Sequence, residues 1–460
     1  MVEHEGFKRD FEKVFEEPAE ILEEGIDFIA KEEKALISKK PFKLAEEYWD
    51  TLGPGLTTGA ADDDPSGIAT YSQAGAQYGL QLIWTAVFTY PFMAVVQEMC
   101  ARIGIVSGEG LAANIRRHYP ARTLYIVTAL LFLANAFNIA ADLGAMSAAT
   151  RLLLPNFGFE LLVIVFALVS LGLQIFTTYA RYAKYLKYLT LALLSYVVVA
   201  FSVGLDWGDV LRHTLVPSMT FSKEQIFLIC AILGTTISPY LFFWQTSQEV
   251  EEKILKGERT IEARRAQVTP QSVRRMRTDV WSGMFFSNLI TFFIFAATAG
   301  TLYASGATNI ATAADAALAL KPFGEFAFLL FAVGIVGTGL LAVPVLAGST
   351  AYALSESFGW KNGLYRKLHQ AYAFYGVIIV SMLLGIAANF AHFDPIQTLV
   401  YAAVANGVIA PVILFFVVRL SSNKHIMGEY TNHPFIAKLG WVTIGVMALS
   451  GIAAIATLFL

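Results

Sequence analysis

Residues 53–67 read GPGLTTGAADDDPSG, and they open an apolar segment that runs to residue 78. Three acids (Asp62, Asp63 and Asp64), a proline and a glycine stand in its middle. Inside a bilayer every backbone amide needs a hydrogen-bond partner, so such an interruption is tolerated only where protein or a water-filled cavity surrounds it. The stretch therefore predicts a helix that is broken within a membrane.

The composition of the whole chain agrees with a membrane setting. Of its 460 residues 56% are hydrophobic and only 15% are charged, whereas soluble domains carry about 25% charged residues. This balance excludes an ordinary soluble enzyme, a nucleic-acid-binding protein and a disordered protein. Cys100 and Cys230 both lie in apolar stretches, so we expect neither a disulfide framework nor a CxxC metal motif.

The apolar segments predict eleven membrane-spanning helices, since each crossing needs about 20 residues. The predicted spans are residues 54–78, 82–103, 123–149, 158–178, 187–206, 225–248, 281–303, 325–355, 371–390, 397–418 and 437–459. With a cytoplasmic N-terminus, 29 of the 33 Lys and Arg residues fall on the inside. The positive-inside rule therefore favours a cytoplasmic N-terminus in an inner (plasma) membrane, and a basic cytoplasmic loop at 249–280.

The first fifty residues differ in kind from the rest. They hold fifteen acids and eight Lys or Arg, with apolar residues at helical spacing. We interpret residues 1–50 as a cytoplasmic region of one or two amphipathic helices on the protein or membrane surface; a solvated charged terminus is the alternative. Residues 51–460 then form the transmembrane domain.

A second break occurs in the sixth predicted span, where residues 234–240 read GTTISPY. Pro239 removes one helical hydrogen bond and crowds the preceding turn. Breaks in spans one and six are the pattern of two five-helix halves, each opening with a discontinuous helix, plus one further helix. An odd number of helices per half makes the halves inverted repeats, and these place substrate and ions between the broken segments.

The three acids indicate the charge of the substrate. No Lys or Arg lies in span one or span six to pair with them, and an unpaired acid within the membrane costs several kcal/mol. A transported cation is the natural partner. Consecutive helical residues point about 100° apart, so the three cannot all face one ion. Asp64 is the best ligand candidate, while Asp62 and Asp63 could line an approach vestibule; alternatively, these acids cap the second half-helix.

The remaining candidate ligands are oxygen atoms. The full set of candidate metal-site residues is Asp63, Asp64, Ser66, Gly67, Thr235, Ser238, Tyr240 and Gln245. Oxygen-only sites suit Mg²⁺, Ca²⁺ or Mn²⁺ rather than thiophilic metals. One carboxylate and a few neutral oxygens form a thin shell for a bare ion, so a wide site that holds a partly hydrated ion is expected.

The chain resembles the NRAMP family of divalent-metal transporters over residues 53–460. The resemblance rests on Gly53-Pro54-Gly55, Asp64-Pro65, residues 73–76 (QAGA), residues 97–111, Asp142 and residues 427–430 (MGEY). It implies an all-α membrane protein of the LeuT-type fold that imports metal ions.

The sequence departs from that family at the residues that define its chemistry. The family's Asp-Pro-Gly-Asn is here Asp64-Pro65-Ser66-Gly67, and its Met-Pro-His is here Ser238-Pro239-Tyr240. A second family histidine falls at Gln245, and the family's acidic proton acceptor falls at Ala145. Thr235 matches the position whose backbone carbonyl binds metal.

These departures resemble the NRAMP-related magnesium transporters of prokaryotes, which are thought to carry Mg²⁺ and Mn²⁺ without proton coupling. The lead hypothesis is therefore an uncoupled Mg²⁺/Mn²⁺ transporter that works by alternating access as a monomer, with no cofactor and no nucleic-acid partner. Alternatives are a proton-coupled Mn²⁺/Fe²⁺ transporter, a Na⁺-coupled amino-acid transporter and a non-transporting metal sensor. None of these is an enzyme.

Three further polar residues lie within apolar spans. Asp142 either faces the ion pathway or hydrogen-bonds a neighbouring helix, and we favour the second. We expect Asn406 to link two helices and Glu98 to belong to an intracellular polar cluster.

Overall fold

The computed structural model describes residues 53–177, 189–310, 312–324, 326–391 and 394–457. The amphipathic helices predicted for residues 1–50 lie outside these ranges. Within them the chain is helical throughout, without a strand. The α-helices are α1 Pro54–Asp62, α2 Pro65–Tyr78, α3 Trp84–Ser107, α4 Leu111–His118, α5 Ala121–Leu153, α6 Phe159–Phe176, α7 Leu194–Ser202, α8 Trp207–Leu215, α9 Lys223–Thr236, α10 Pro239–Leu255, α11 Ile261–Ala266, α12 Pro270–Thr298, α13 Ala313–Ala317, α14 Phe326–Phe358, α15 Tyr372–Asn389, α16 Pro395–Ser421, α17 Lys424–Met427 and α18 Pro434–Thr457.

Short 3₁₀ segments and one π-helical segment join or extend these helices. The 3₁₀ segments are Gly79–Leu82, Leu189–Leu193, Leu318–Phe323, Leu368–Gln370 and Gly428–Tyr430, and the π-helical turn Ala299–Tyr303 continues α12.

Both predicted breaks are present, and proline restarts the helix at each. α1 ends at Asp62 and α2 begins at Pro65; α9 ends at Thr236 and α10 begins at Pro239. Proline suits the first helical position because its fixed φ is already helical and its missing N–H would have had no partner there. The sequence thus places each break two residues before a proline.

Counted by length and apolar composition, fewer described helices can cross a membrane than the eleven predicted. Eight described helices are long and apolar enough to cross a membrane, or up to ten if each of two sharply bent pairs counts as one span. One bend, of 106°, separates Pro65–Leu82 from Trp84–Ser107, and the other, of 115°, separates Leu191–Ser202 from Trp207–Leu215. The count falls because α2 is short and rich in polar residues, and because residues 178–188 lie outside the described ranges.

The basic loop predicted at 249–280 is mostly helical. Its first residues continue α10 and its last belong to α12, so the link contains only residues 256–269 and includes α11. This link is docked on the end of α3: Arg264 Nε donates to the Gly108 carbonyl and Arg265 Nε to the Ser107 carbonyl, both at 2.7 Å. Two basic side chains of this link therefore bond backbone carbonyl groups at the end of α3, and of the two Arg264 is buried.

Close packing of α1 on α12 fixes one wall of the site. A Cβ on Gly59 would lie 2.4 Å from the Gly283 carbonyl oxygen, so only glycine allows the two backbones to approach this closely. At the start of α1, the Asp279 carboxylate accepts hydrogen bonds from the Gly55 N–H at 2.7 Å and the Leu56 N–H at 3.1 Å. A residue of α12 thus satisfies two of the free amides at the N-terminus of α1.

Candidate functional site

Asp64 lies in the first break and serves two purposes through its two oxygens. Oδ1 accepts hydrogen bonds from the Gly67 N–H at 2.7 Å and from Ser66 Oγ at 2.6 Å, which makes Asp64 the N-cap of α2. The capping alternative is therefore confirmed for this residue. It accounts for only one of the two oxygens, and the other faces the second break.

The second oxygen of Asp64 meets Tyr240 at the start of α10. The Tyr240 hydroxyl lies 3.3 Å from Asp64 Oδ2 and 3.1 Å from the carbonyl oxygen of Ala61, the last-turn carbonyl freed at the end of α1. Its single hydrogen serves one of these two acceptors at a time. Donation to Ala61 leaves Asp64 Oδ2 and the hydroxyl lone pairs facing each other, free to bind a cation.

Hydroxyl groups from the two breaks form a connected row beside Asp64. Ser66 Oγ lies 3.2 Å from Thr235 Oγ1. Because the Ser66 hydrogen points to Asp64, the Thr235 hydroxyl is the donor in this contact. Ser238 Oγ lies 3.0 Å from the carbonyl oxygen of Gly234 and 2.7 Å from that of Thr235, and its single hydrogen serves one of these acceptors at a time. The carbonyl oxygen of Thr235 keeps one lone pair for another partner.

Gly67 bonds Asp64 through its backbone N–H and lies where a larger side chain has little room. A Cβ there would lie 3.2 Å from the Tyr71 ring and 3.3 Å from Thr235 Oγ1. An asparagine at this position, as in the NRAMP pattern, would require these neighbours to move by a few tenths of an ångström. The site is thus adapted to glycine on the α2 side.

Gln245 lies further along α10 and bonds a different acid. Its Nε2 donates to Glu249 Oε1 at 2.8 Å, while its Oε1 is buried and has no hydrogen-bond partner among the described residues. Among the described residues its hydrogen bond is to Glu249 rather than to Asp64 or the hydroxyl groups around it. A role for Gln245 in the metal site stays a prediction.

Asp62 and Asp63 point away from this group, towards α12. Ser287 Oγ lies 3.0 Å from Asp62 Oδ2 and 3.0 Å from Asp63 Oδ1. Asp64 shares neither contact, so the three acids have different hydrogen-bond partners. That they cannot all face one ion stays a prediction. Asp63, counted among the candidate metal-site residues, belongs with Asp62 instead.

Asp142 is more closely connected with the site than its sequence position suggested. It is fully buried on α5, and neither carboxylate oxygen has a hydrogen-bond partner in the described ranges. It interacts electrostatically with Asp64 and with Tyr240. The interhelical hydrogen bond that we favoured is therefore not formed. Its position inside an apolar span was the available signal, since intramembrane acids mark ion pathways by default.

The link predicted for Asn406 is confirmed, and Glu98 belongs to a polar cluster as predicted, while the intracellular position of that cluster stays a prediction. Asn406 and Asn138 exchange reciprocal side-chain hydrogen bonds of 3.0 and 3.2 Å, which link α16 to α5. Glu98 accepts hydrogen bonds from Arg277 Nε at 3.0 Å and Trp281 Nε1 at 2.9 Å. These residues hold the helices around the site in register.

The acids in and near the site have no positively charged partner among the described residues. Asp62, Asp63, Asp64 and Asp142 are all buried, and none forms an ion pair with a Lys, Arg or His within the described segments. The described residues also contain no group of three or more His, Cys, Asp or Glu arranged to hold a metal ion. The site thus offers few carboxylate oxygens per ion, together with hydroxyls and carbonyls.

Comparison with solved structures shows the fold. A crystal structure of the Eremococcus coleocola manganese transporter matches with a TM-score of 0.70 at 18% identity, covering 89% of this chain and 86% of that one. Two more distant neighbours are MhsT, crystallised with L-phenylalanine, with a TM-score of 0.54 at 10% identity over 88% of this chain and 98% of that one, and the nucleobase-cation symporter Mhp1, with a TM-score of 0.53 at 15% identity over 88% and 90%. The chain has a LeuT-like, all-helical membrane fold.

Curated relatives give the same assignment at the level of sequence. The divalent metal cation transporter MntH of Aeromonas hydrophila is 26% identical over 425 residues, covering 89% of this chain and 95% of the relative. MntH of Klebsiella pneumoniae is 26% identical over 415 residues, covering 87% and 92%. Residues 55–457 match the sequence model of the Nramp family, described as natural resistance-associated macrophage protein-like, and this chain is a member of that family.

Proposed function

We propose that this protein imports Mg²⁺, and also Mn²⁺, by alternating access and without proton coupling. The observation that carries the proposal is Asp64 Oδ2, a buried carboxylate oxygen that faces the second break and whose hydrogen-bond partner among the described residues is the Tyr240 hydroxyl. An acid inside a membrane protein without a cationic partner is a functional site by default. Family membership and the MntH relatives support a divalent metal ion as the substrate, and transport rather than enzymatic catalysis as the activity.

The chemistry of the donors supports a hard cation. Asp64, Ser66, Thr235, Ser238 and Tyr240 present only oxygen atoms. Such ligands suit Mg²⁺ and Mn²⁺, while transition metals that prefer nitrogen or sulfur gain nothing from them. The absence of the family's methionine at Ser238 and histidine at Tyr240 removes a bias towards those softer metals.

The number of donors supports a partly hydrated ion. One oxygen of Asp64 is already occupied by the Ser66 hydroxyl and the Gly67 amide, so a single carboxylate oxygen remains for the metal. Mg²⁺ takes an octahedral shell and gives up water reluctantly, commonly binding through one or two carboxylates and keeping several waters. The hydroxyls of Ser66, Thr235 and Tyr240 would then receive or donate hydrogen bonds to these waters.

Burial of the site supports alternating access. Asp64 is 1% exposed, and Ser238 and Tyr240 are 0% exposed. An ion can reach or leave this position only if helices move. α1 ends at the first break and α10 begins at the second. Helical hydrogen bonding does not continue across either break, so we expect these two half-helices to be the parts that move. The positive-inside pattern supports an N-terminus in the cytoplasm of a plasma membrane, and membership of the Nramp family supports import as the direction of transport.

A flux assay with Asp64→Asn tests the proposal. Asparagine is as good an N-cap as aspartate, so α2 should still form while the negative charge is lost. We expect the full-length variant in proteoliposomes to lose Mg²⁺ and Mn²⁺ uptake, while Asp394→Asn, the same substitution at the N-cap of α16, keeps it. Undiminished uptake by Asp64→Asn would overturn the proposal.

Asp142 favours a second candidate, a proton-coupled Mn²⁺/Fe²⁺ transporter of the family type. Its buried, partnerless carboxylate lies within electrostatic reach of Asp64, where a proton carrier would have to be. We rank this candidate second because the family's acidic proton acceptor, three residues further along α5, is here Ala145. A pH reporter inside the proteoliposomes distinguishes the two.

A further inference from the structure

We propose that Asp62, Asp63 and Ser287 form a second site for a divalent cation, separate from the one at Asp64. This inference rests on the proposed function, because it takes the transported ion as the occupant. The three residues connect the end of α1, the first break and the middle of α12. All three side chains are buried: Asp62 is 1% exposed, Asp63 7% and Ser287 2%.

The hydrogen bonding of this pair is incomplete. Ser287 Oγ lies 3.0 Å from one oxygen of each carboxylate, but a hydroxyl carries one hydrogen and satisfies only one of them at a time. The other oxygen of Asp62, Oδ1, is buried and has no partner within the described part of the chain. Buried polar atoms rarely lack a hydrogen-bond partner, so we expect a ligand from outside the chain to contact Asp62 Oδ1.

The position of the pair on α1 also favours a cation. Asp62 is the last residue of α1 and Asp63 follows it, so both acids stand at the negative end of the helix dipole. Carboxylates there are repelled both by the dipole and by each other. No described Lys, Arg or His pairs with them. The local field is thus strongly negative from two independent sources.

Charge and ligand type indicate a hard divalent ion. Two carboxylates carry two negative charges, which one divalent cation neutralises. All the donors are oxygens: two carboxylates, the Ser287 hydroxyl and the hydroxyl of Tyr71, which bonds Thr236 Oγ1 at 2.9 Å and interacts electrostatically with Asp62. This donor set suits Mg²⁺ or Mn²⁺.

The second binding site would lie next to the first along the path of the ion. The Cα atoms of Asp63 and Asp64 are about 3.8 Å apart, as in any trans peptide, while their side chains face α12 and α10 respectively. Two divalent ions this close repel each other strongly. We therefore expect the ion to occupy the two sites in turn, moving from one carboxylate group to the other as α1 moves.

The test measures Mn²⁺ binding to the purified full-length protein after the first site has been disabled. Equilibrium dialysis with Mn²⁺ is carried out on Asp64→Asn, on the triple variant Asp62→Asn/Asp63→Asn/Asp64→Asn, and on Asp64→Asn/Asp394→Asn as the control for a further lost acid. We expect Asp64→Asn and the control to retain one bound Mn²⁺ and the triple variant to bind none. Adding Ser287→Ala to Asp64→Asn should weaken the retained binding by about fivefold, as for one lost neutral contact.

Two results would overturn the second site: no Mn²⁺ bound to folded Asp64→Asn, or equal binding by Asp64→Asn and the triple variant. Thermal denaturation without metal establishes which variants are folded. If the triple variant fails to fold, Asp62→Asn/Asp64→Asn and Asp63→Asn/Asp64→Asn replace it with the same expectations. The proposed function fails by a different result, the retention of flux by Asp64→Asn, so the two proposals can be rejected separately.

Discussion

The Tyr240 hydroxyl lies 3.3 Å from Asp64 Oδ2, so the two broken helices meet through a phenol and a carboxylate. Asp64 belongs to the break between α1 and α2, and Tyr240 to the first turn of α10. The same hydroxyl lies 3.1 Å from the Ala61 carbonyl oxygen, at the end of α1. One side chain therefore connects the carboxylate proposed to bind the ion with a half-helix proposed to move.

The two roles of Asp64 can be separated by two substitutions. Asp64→Ala removes both the charge and the cap of α2, whereas Asp64→Asn removes only the charge. We expect both to abolish uptake, but only Asp64→Ala to lower stability, by about 0.5–2 kcal/mol for a lost N-cap. Thermal denaturation in detergent measures the difference. Equal stability of the two variants would contradict the capping role.

Removal of the Tyr240 hydroxyl should weaken transport without abolishing it. In Tyr240→Phe the ring still fills its buried space, but the site loses the hydroxyl oxygen that lies beside Asp64 Oδ2 and would contact the ion or one of its waters. The net loss is about 1 kcal/mol per hydrogen bond, so we expect a several-fold higher Mn²⁺ concentration for half-maximal uptake. Wild-type concentration dependence would show that the hydroxyl plays no part in binding.

Selectivity should depend on Ser238, which stands where the family has methionine. Ser238→Met introduces a thioether beside Asp64, and thioethers favour soft metals. We expect Cd²⁺ binding to strengthen and Mg²⁺ uptake to fall. Ser238→Ala, which removes the hydroxyl without adding sulfur, is the matched control and should not gain Cd²⁺ affinity; isothermal titration calorimetry with Cd²⁺ checks both. If the alanine variant gains as much as the methionine variant, sulfur is not the cause.

Asp279 should hold the start of α1 against α12. In Asp279→Ala the N–H groups of Gly55 and Leu56 lose their shared acceptor, which lies more than 220 residues away in the sequence. We expect hydrogen exchange at these two amides to become faster by about tenfold, as for the loss of a helix cap, while amides in the middle of α5 exchange as before. Unchanged exchange at Gly55 and Leu56 would show that α1 is fixed by its glycine contacts alone.

Much of the fold could be predicted from local chemistry. Pro65 and Pro239 mark the two breaks because each follows polar residues within an apolar span and proline readily begins a helix, whereas Pro91, Pro344 and Pro411 lie inside helices. The divergence of Asp62 and Asp63 from Asp64 arises at the break itself, since Asp62 ends α1 and Asp64 is the extended N-cap of α2. The extent of α10 and α12 was missed, because residues 249–280 are rich in charge and were interpreted as solvated, whereas Arg264 and Arg265 bond carbonyls at the end of α3.

The site itself was harder to predict, since its contacts join distant parts of the chain. Nothing in the sequence pairs Ser287 with Asp62 and Asp63, because their contact depends on the close approach of α12 to α1 at Gly55, Gly59 and Gly283. Asp142 was assigned an interhelical hydrogen bond by general expectation for polar residues in spans. Its isolation next to Asp64 depends on how α5 packs, which hydropathy alone does not reveal.

Asp142 provides a test of coupling at a single residue. Asp142→Asn keeps the size of the side chain but cannot carry a proton. Under the uncoupled account we expect metal uptake at neutral pH to fall only several-fold, through the loss of negative potential near Asp64, and its pH dependence between pH 5 and 8 to match the wild type. A flattened pH dependence in the variant would support proton transfer through Asp142 instead.

The most direct test of the central claim is ion flux into proteoliposomes that contain a Mg²⁺ reporter and a pH reporter, under an imposed negative internal potential. The account predicts Mg²⁺ entry with an unchanged internal pH. Exclusion of Mg²⁺, together with Mn²⁺ entry and internal acidification, would contradict it and show a proton-coupled transition-metal transporter.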